Sequence, residues 1–168
     1  MNDVLTLLQE FYRDELAALL RHEAGARLIR QYDVNNTYQY IINREETHLA
    51  WLGAAITELG GRVDEPDVQA PVLSEGAARH AKGERVQGQA VIELDAREAQ
   101  TFVERWRPRV DAMPNARHAK MLGVILGEVL EERRFFEQAL AGRTDLLGKR
   151  GETLGPSHGE VLASRWIE

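Results

Sequence analysis

The chain has no cysteine in its 168 residues. Disulfides and thiolate metal sites are therefore excluded, and the redox compartment stays open. Long apolar runs are also missing. None approaches the roughly 20 residues needed to cross a bilayer, so no membrane partner is expected. Basic excess is lacking too, with a formal net charge of −6. Affinity for phosphate backbones comes from Lys and Arg, so no nucleic-acid partner is expected. The one arginine cluster, Arg105, Arg107 and Arg109, is interrupted by Trp106 and Pro108. The opening stretch MNDVLTLLQEFYRDEL has no basic start and no small-residue cleavage site. That pattern does not read as a secretory signal, and the expected location is the cytoplasm.

What remains is ordinary for a globular protein: 43% apolar and 29% charged residues, enough for one domain with a sizeable core. Four segments carry helical periodicity and none alternates with period two. The first spans about 3–31, with Leu5, Leu8, Tyr12, Glu15, Leu19, His22, Ala26 and Ile29 on one seam. The second spans about 35–59, with Tyr38, Ile41, Glu45, His48, Leu52, Ala55 and Leu59, and stops at Gly60-Gly61. A third is expected over about 89–110, kinked or ended by Pro108, and a fourth over about 116–141, capped by Asn115. Short links make two antiparallel hairpins. The Pro- and Gly-containing stretch between them, with room for a short helix after Ser74, is long enough to run the length of a bundle. The expectation is an all-α four-helix bundle over 1–142, two hairpins joined by a long crossover, with a C-terminal extension over 143–168.

Three seam positions are polar: Glu15, Glu45 and His48. A buried carboxylate needs a metal, a basic group, a proton or water to compensate it. Glu45 and His48 stand three apart, so one cation can take an oxygen from the first and an imidazole nitrogen from the second. That donor set suits iron, manganese or zinc. The plainer alternative is a hydrogen-bonded Glu–His pair with no metal. The second half of the chain repeats the arrangement. Glu98 precedes Glu131 at nearly the offset by which Glu15 precedes Glu45, and EERRFF aligns with EETHLA.

DELAALLRHEAGARL, EETHLAWLGAAITELGG and EERRFFEQALAGR together resemble the ferritin-like superfamily, in the manner of rubrerythrins and bacterioferritins. There, two hairpins each supply a glutamate and then a Glu-x-x-His, and two metal ions are held between them. The resemblance covers about residues 3–142. It implies Glu15, Glu45, His48, Glu98 and Glu131 as metal ligands, iron as the cofactor, oxygen or peroxide chemistry, and assembly as a homo-oligomer.

One departure stands out. Arg134 occupies the place of the second histidine, and arginine does not ligate metals. The fourth-helix register also leaves Glu128, Glu131 and Glu132 as alternatives for the inward carboxylate. Two functions are therefore expected in competition. One is a degenerate carboxylate/histidine metal site; the other is a metal-free structural or interaction module in which Arg134 neutralises the core carboxylates. Whether the chain is an enzyme is left open. His22 reads as a hydrogen-bonded histidine, His80, His118 and His158 as surface residues, and Trp51 and Trp106 as packing aromatics.

Overall fold

A computed structural model describes residues 2–63 and 84–147. Four helices make up the described chain: α1 (Asn2–Ala26), α2 (Tyr32–Glu58), α3 (Glu84–Asp111) and α4 (Ala116–Leu140). The expected all-α four-helix bundle is what forms. α1 packs along α2 and α3 along α4, giving two hairpins, and the hairpins meet through α1 with α3 and α2 with α4.

Cross-bundle pairs fix the helix directions. Going up α1, Glu10 meets Arg109, Asp14 meets Trp106 and Arg21 meets Asp95, so α3 runs antiparallel to α1. Going along α2, Tyr40 meets Phe135, Arg44 meets Glu128 and Glu58 meets Arg117, so α4 runs antiparallel to α2. The order is up-down-down-up, and α2 ends at the opposite end of the bundle from the start of α3. The residues that join them, including the short helix expected after Ser74, lie outside the described residues.

Local chemistry explains the helix ends. Gly60 adopts φ 78°, and the amides of Gly60 and Gly61 bond to the carbonyls of Thr57 and Ile56. This is the Schellman ending that a glycine at that position favours. Asn115 caps α4, its side-chain oxygen accepting from the amides of Arg117 and His118. Gly25 lets α1 approach α3 closely, since a Cβ there would stand 2.8 Å from Val91 Cγ1. The expected boundaries shift at three ends. α1 stops at Ala26, because Asn35 Nδ2 instead satisfies the carbonyls of Ala26 and Ile29 in the turn. α2 starts at Tyr32 and α3 at Glu84. Pro108 sits inside α3 without ending it.

The apolar side chains form two clusters. One gathers Leu8, Phe11, Leu52, Ile56, Trp106, Leu122 and Ile125. The other gathers Ile29, Tyr38, Ile41, Val91, Phe135, Phe136 and Leu146. On every helix the residues between the clusters include a buried polar side chain: Glu15 and His22, Glu45 and His48, Asp95, and Glu132. One surface assignment changes: His118 is buried. Trp51, read as a packing aromatic, packs beside His48 but keeps 38% of its surface exposed and joins neither cluster. His80 and His158 lie outside the described residues. No described helix is long and apolar enough to cross a membrane.

Candidate functional site

The seam that carries Tyr38, Ile41 and Leu52 inward also carries Glu45 and His48 inward, because all share the 3-4 spacing of one helix face. Glu15 arrives from α1 by the same logic, and all three are at most 1% exposed. His48 Nδ1 lies 2.7 Å from Glu15 Oε1, and Nε2 lies 2.9 Å from Glu128 Oε2. Both neighbours are carboxylates, which accept, so an imidazolium donating from both nitrogens satisfies the pair. Burial opposes that charge, but the bonds to Glu15 and Glu128 outweigh it and raise the His48 pKa above its ordinary value. Glu128 is fixed in turn by Arg44, whose Nε and Nη2 donate to its two oxygens at 2.7 and 2.6 Å. The Arg44 bond, joined by His48, lowers the Glu128 pKa.

One turn away, His22 Nδ1 pairs with Glu45 Oε1 at 2.8 Å. Desolvation pushes His22 below its ordinary pKa. Desolvation, reinforced by Glu15, pushes Glu45 well above the carboxylate range. Both shifts favour neutral forms. Beyond His22 lies Asp95, fully buried, which accepts from Tyr38 Oη at 2.5 Å and from Arg21 Nε at 2.8 Å. Burial, then the Asp95 charge, raises the Tyr38 phenol well above its usual pKa.

Glu132 completes the layer from α4. It is 4% exposed, and desolvation with the charge of Glu45 drives its pKa well up. Glu132 Oε1, Glu45 Oε2 and His22 Nε2 are buried with no hydrogen-bond partner. Glu15, His22, Glu45, Glu98 and Glu132 line one cavity of about 190 Å³.

The sequence-predicted residues thus fall into two groups. Glu15, Glu45 and His48 converge in the core, and Glu98 stands at the rim of their cavity. Glu131 does not join them. Its side chain is 43% exposed and accepts from Arg134, three residues on. Arg134 is therefore a surface partner of Glu131 and does not neutralise the core carboxylates. Glu132 is the inward carboxylate of α4, with Phe135 one turn later where the resemblance has a histidine. Asp95 was missed. It continues the α3 seam of Ile92, Ala99, Val103 and Trp106, and that periodicity was the signal for it.

Among the described residues, no group of three His, Asp or Glu side chains is arranged to hold a metal ion. The imidazoles and carboxylates bond to one another instead. Glu45 and Glu132, which carry the two orphaned carboxylate oxygens, nevertheless both line that cavity, and carboxylate with imidazole is a donor set that hard and borderline divalent cations accept. Comparison with protein families, with curated proteins and with solved structures finds no match for this chain.

Proposed function

We propose that the chain is a ferritin-like metal-binding protein whose degenerate core site takes a transition metal, iron first and manganese or zinc as alternatives. Glu15, Glu45, Glu132 and the Nδ1 of His48 would hold the ion, with Glu98 at the rim. The observation that carries the reading is the pair of unpartnered, buried oxygens on Glu45 and Glu132 at one cavity. Leaving such groups uncompensated is costly, and a cation compensates both at once. Binding would displace the hydrogen bond between His48 and Glu15, so the ion replaces a proton rather than filling a ready-made cage.

The surrounding residues suit this role. Glu128 accepts from His48 Nε2 and orients the ring, and Arg44 orients Glu128. His22 holds one oxygen of Glu45 and leaves the other without a partner. When bound, iron would supply reaction with dioxygen or peroxide. With no histidine on α4, a lopsided or mononuclear site is the form these residues support.

Metal analysis tests the reading. Protein purified without chelator and loaded anaerobically with Fe(II) is expected to retain about one equivalent after desalting. Retention below about a tenth of an equivalent, for Fe(II), Mn(II) and Zn(II) alike, refutes it. The metal-free reading is favoured by the direct pairing of His48 with Glu15 and of His22 with Glu45. Under it, a chelator leaves the melting temperature unchanged and no metal raises it.

A further inference from the structure

On the α2/α4 side of the bundle a broad groove of about 820 Å³ runs past Tyr40 and Arg44 on α2 and past Gly127 and Phe135 on α4. That volume lies within the range of about 300–1,000 Å³ that takes a large organic group. At Gly127 the wall is bare backbone, and an added Cβ would meet no atom within 4 Å among the described residues. Apolar surface flanks it. Tyr40 keeps 47% and Leu147 41% of their surface exposed, and Val124, one turn before Gly127, is half-exposed. The groove's charges are already paired, Arg44 with Glu128 and Arg134 with Glu131. An occupant therefore gains by covering hydrocarbon rather than by supplying a counter-ion.

The sequence next to the groove supplies such an occupant. Leu147 lines the groove and leads directly into residues 148–168. Over 148–160, GKRGETLGPSHGE, Leu154 is the one large apolar residue, among four glycines and a proline. The next seven residues, VLASRWI, hold Val161, Leu162, Trp166 and Ile167. A tryptophan alone buries about 150–250 Å² of surface. The chain from Leu147 to Val161 can reach about 46–50 Å when extended, so a segment anchored at the groove returns to it with slack. The tether also decides between occupants. It holds the segment at an effective concentration on the order of millimolar, which a free partner making the same contacts does not match.

We propose that residues 161–167 dock in the α2/α4 groove of their own chain, with Trp166 as the anchor against Tyr40, Phe135 and Leu147. Seated there, the segment covers the Arg44–Glu128 pair, which is the outer support of His48. The groove is then an internal docking site for an apolar stretch of this chain and not a site for a small molecule. The inference stands whether or not the core binds a metal.

Cross-linking tests the docking. The chain has no cysteine, so two introduced ones report on a single separation. A disulfide needs Cα atoms within about 7 Å of each other. In the full chain, Gly127→Cys with Ser164→Cys is expected to close within one chain under mild oxidation. It should do so about tenfold or more faster than Thr101→Cys with Ser164→Cys, because Thr101 is exposed on the α1/α3 side. Gln138→Cys, also in the groove, replaces Gly127→Cys should that variant not fold. Adding Trp166→Ala is expected to bring the groove pair down to the rate of the Thr101 pair. Non-reducing electrophoresis and peptide mass mapping read the rates. Equal rates for the two pairs, or a groove rate that Trp166→Ala leaves unchanged, overturn the docking. Disulfides between chains rather than within one would put a second copy in the groove and overturn the intramolecular assignment.

Discussion

The Glu132 carboxyl offers the sharpest test of the core. It is buried, one of its oxygens has no partner, and desolvation holds its pKa far above that of the unfolded chain. A carboxyl raised in this way contributes its full stability below the unfolded pKa, and the contribution is lost as pH climbs toward the folded pKa. While the folded protein keeps a proton that the unfolded chain has released, stability falls by about 1.4 kcal/mol per pH unit. Glu132→Gln keeps the shape and removes the titration. From pH 5 to pH 7, in the presence of EDTA, wild type is therefore expected to lose stability relative to the variant, at up to about 1.4 kcal/mol per pH unit while that proton is held. For a chain of this size, about 1.4 kcal/mol corresponds to about 3–6 °C in melting temperature. His22 and His48 titrate in both proteins, while the charge of Glu45 acts on Glu132, so the difference between the two curves reports the titration of the Glu45 and Glu132 pair. The buried amide offsets the variant's curve by a constant and leaves its slope unaffected. Thermal melts followed by circular dichroism at half-unit pH steps make the measurement. Parallel curves would mean that Glu132 ionises alike in both states, and the argument for an uncompensated core carboxylate would fail.

Three further outcomes follow from the same geometry. Metal uptake at pH 7 is expected to release at least about one proton per ion, because His48 Nδ1 and the raised carboxyls must give up protons to ligate. Calorimetry in two buffers of different ionisation enthalpy reads this, and uptake without proton release contradicts the assigned protonation. Arg134→Ala is expected to cost no more than about 1 kcal/mol by denaturant melt, since it breaks a surface ion pair with Glu131. A loss several times larger would return Arg134 to the core. Tyr38→Phe is expected to cost about 1–3 kcal/mol, because it leaves buried Asp95 short of a donor. A melt equal to wild type would mean that Arg21 alone satisfies that carboxylate.

Much of the fold was legible because it rests on local rules. The seam on α2 predicted the inward side chains from Tyr38 to Ala55, and Glu45 and His48 came with them. Gly60-Gly61 and Asn115 announced their caps through backbone chemistry that needs no tertiary context. The α4 carboxylate was harder. Glu131 and Glu132 differ by one position, about 100° around a helix, and the motif alignment favoured the first while the apolar stripe of Leu122, Ile125, Val129 and Phe136 favoured the second. The stripe prevailed, because burial is decided by the whole face. The bond from His22 to Glu45 joins two helices, and no spacing within one helix encodes it. Asp95 was obscured by the charge density of its neighbours Glu93, Arg97 and Glu98, although its seam position was readable. Arg134 was placed inward by analogy with a histidine, but its long stem and fork reach Glu131 at the surface more cheaply than they enter a desolvated layer.

The polar layer between the two apolar clusters also dictates how the helices align lengthwise. Leucine-rich halves alone tolerate slippage, since one apolar rung resembles the next. Here a slide of one turn, about 5.4 Å, would set His48 and Glu45 against hydrocarbon and part each from Glu15 and His22. The layer therefore acts as an indexing notch with a single matching position. Converting it to well-packed leucine and phenylalanine is expected to raise the melting temperature while blurring that register, leaving a bundle that is harder to unfold and less certain of its own alignment.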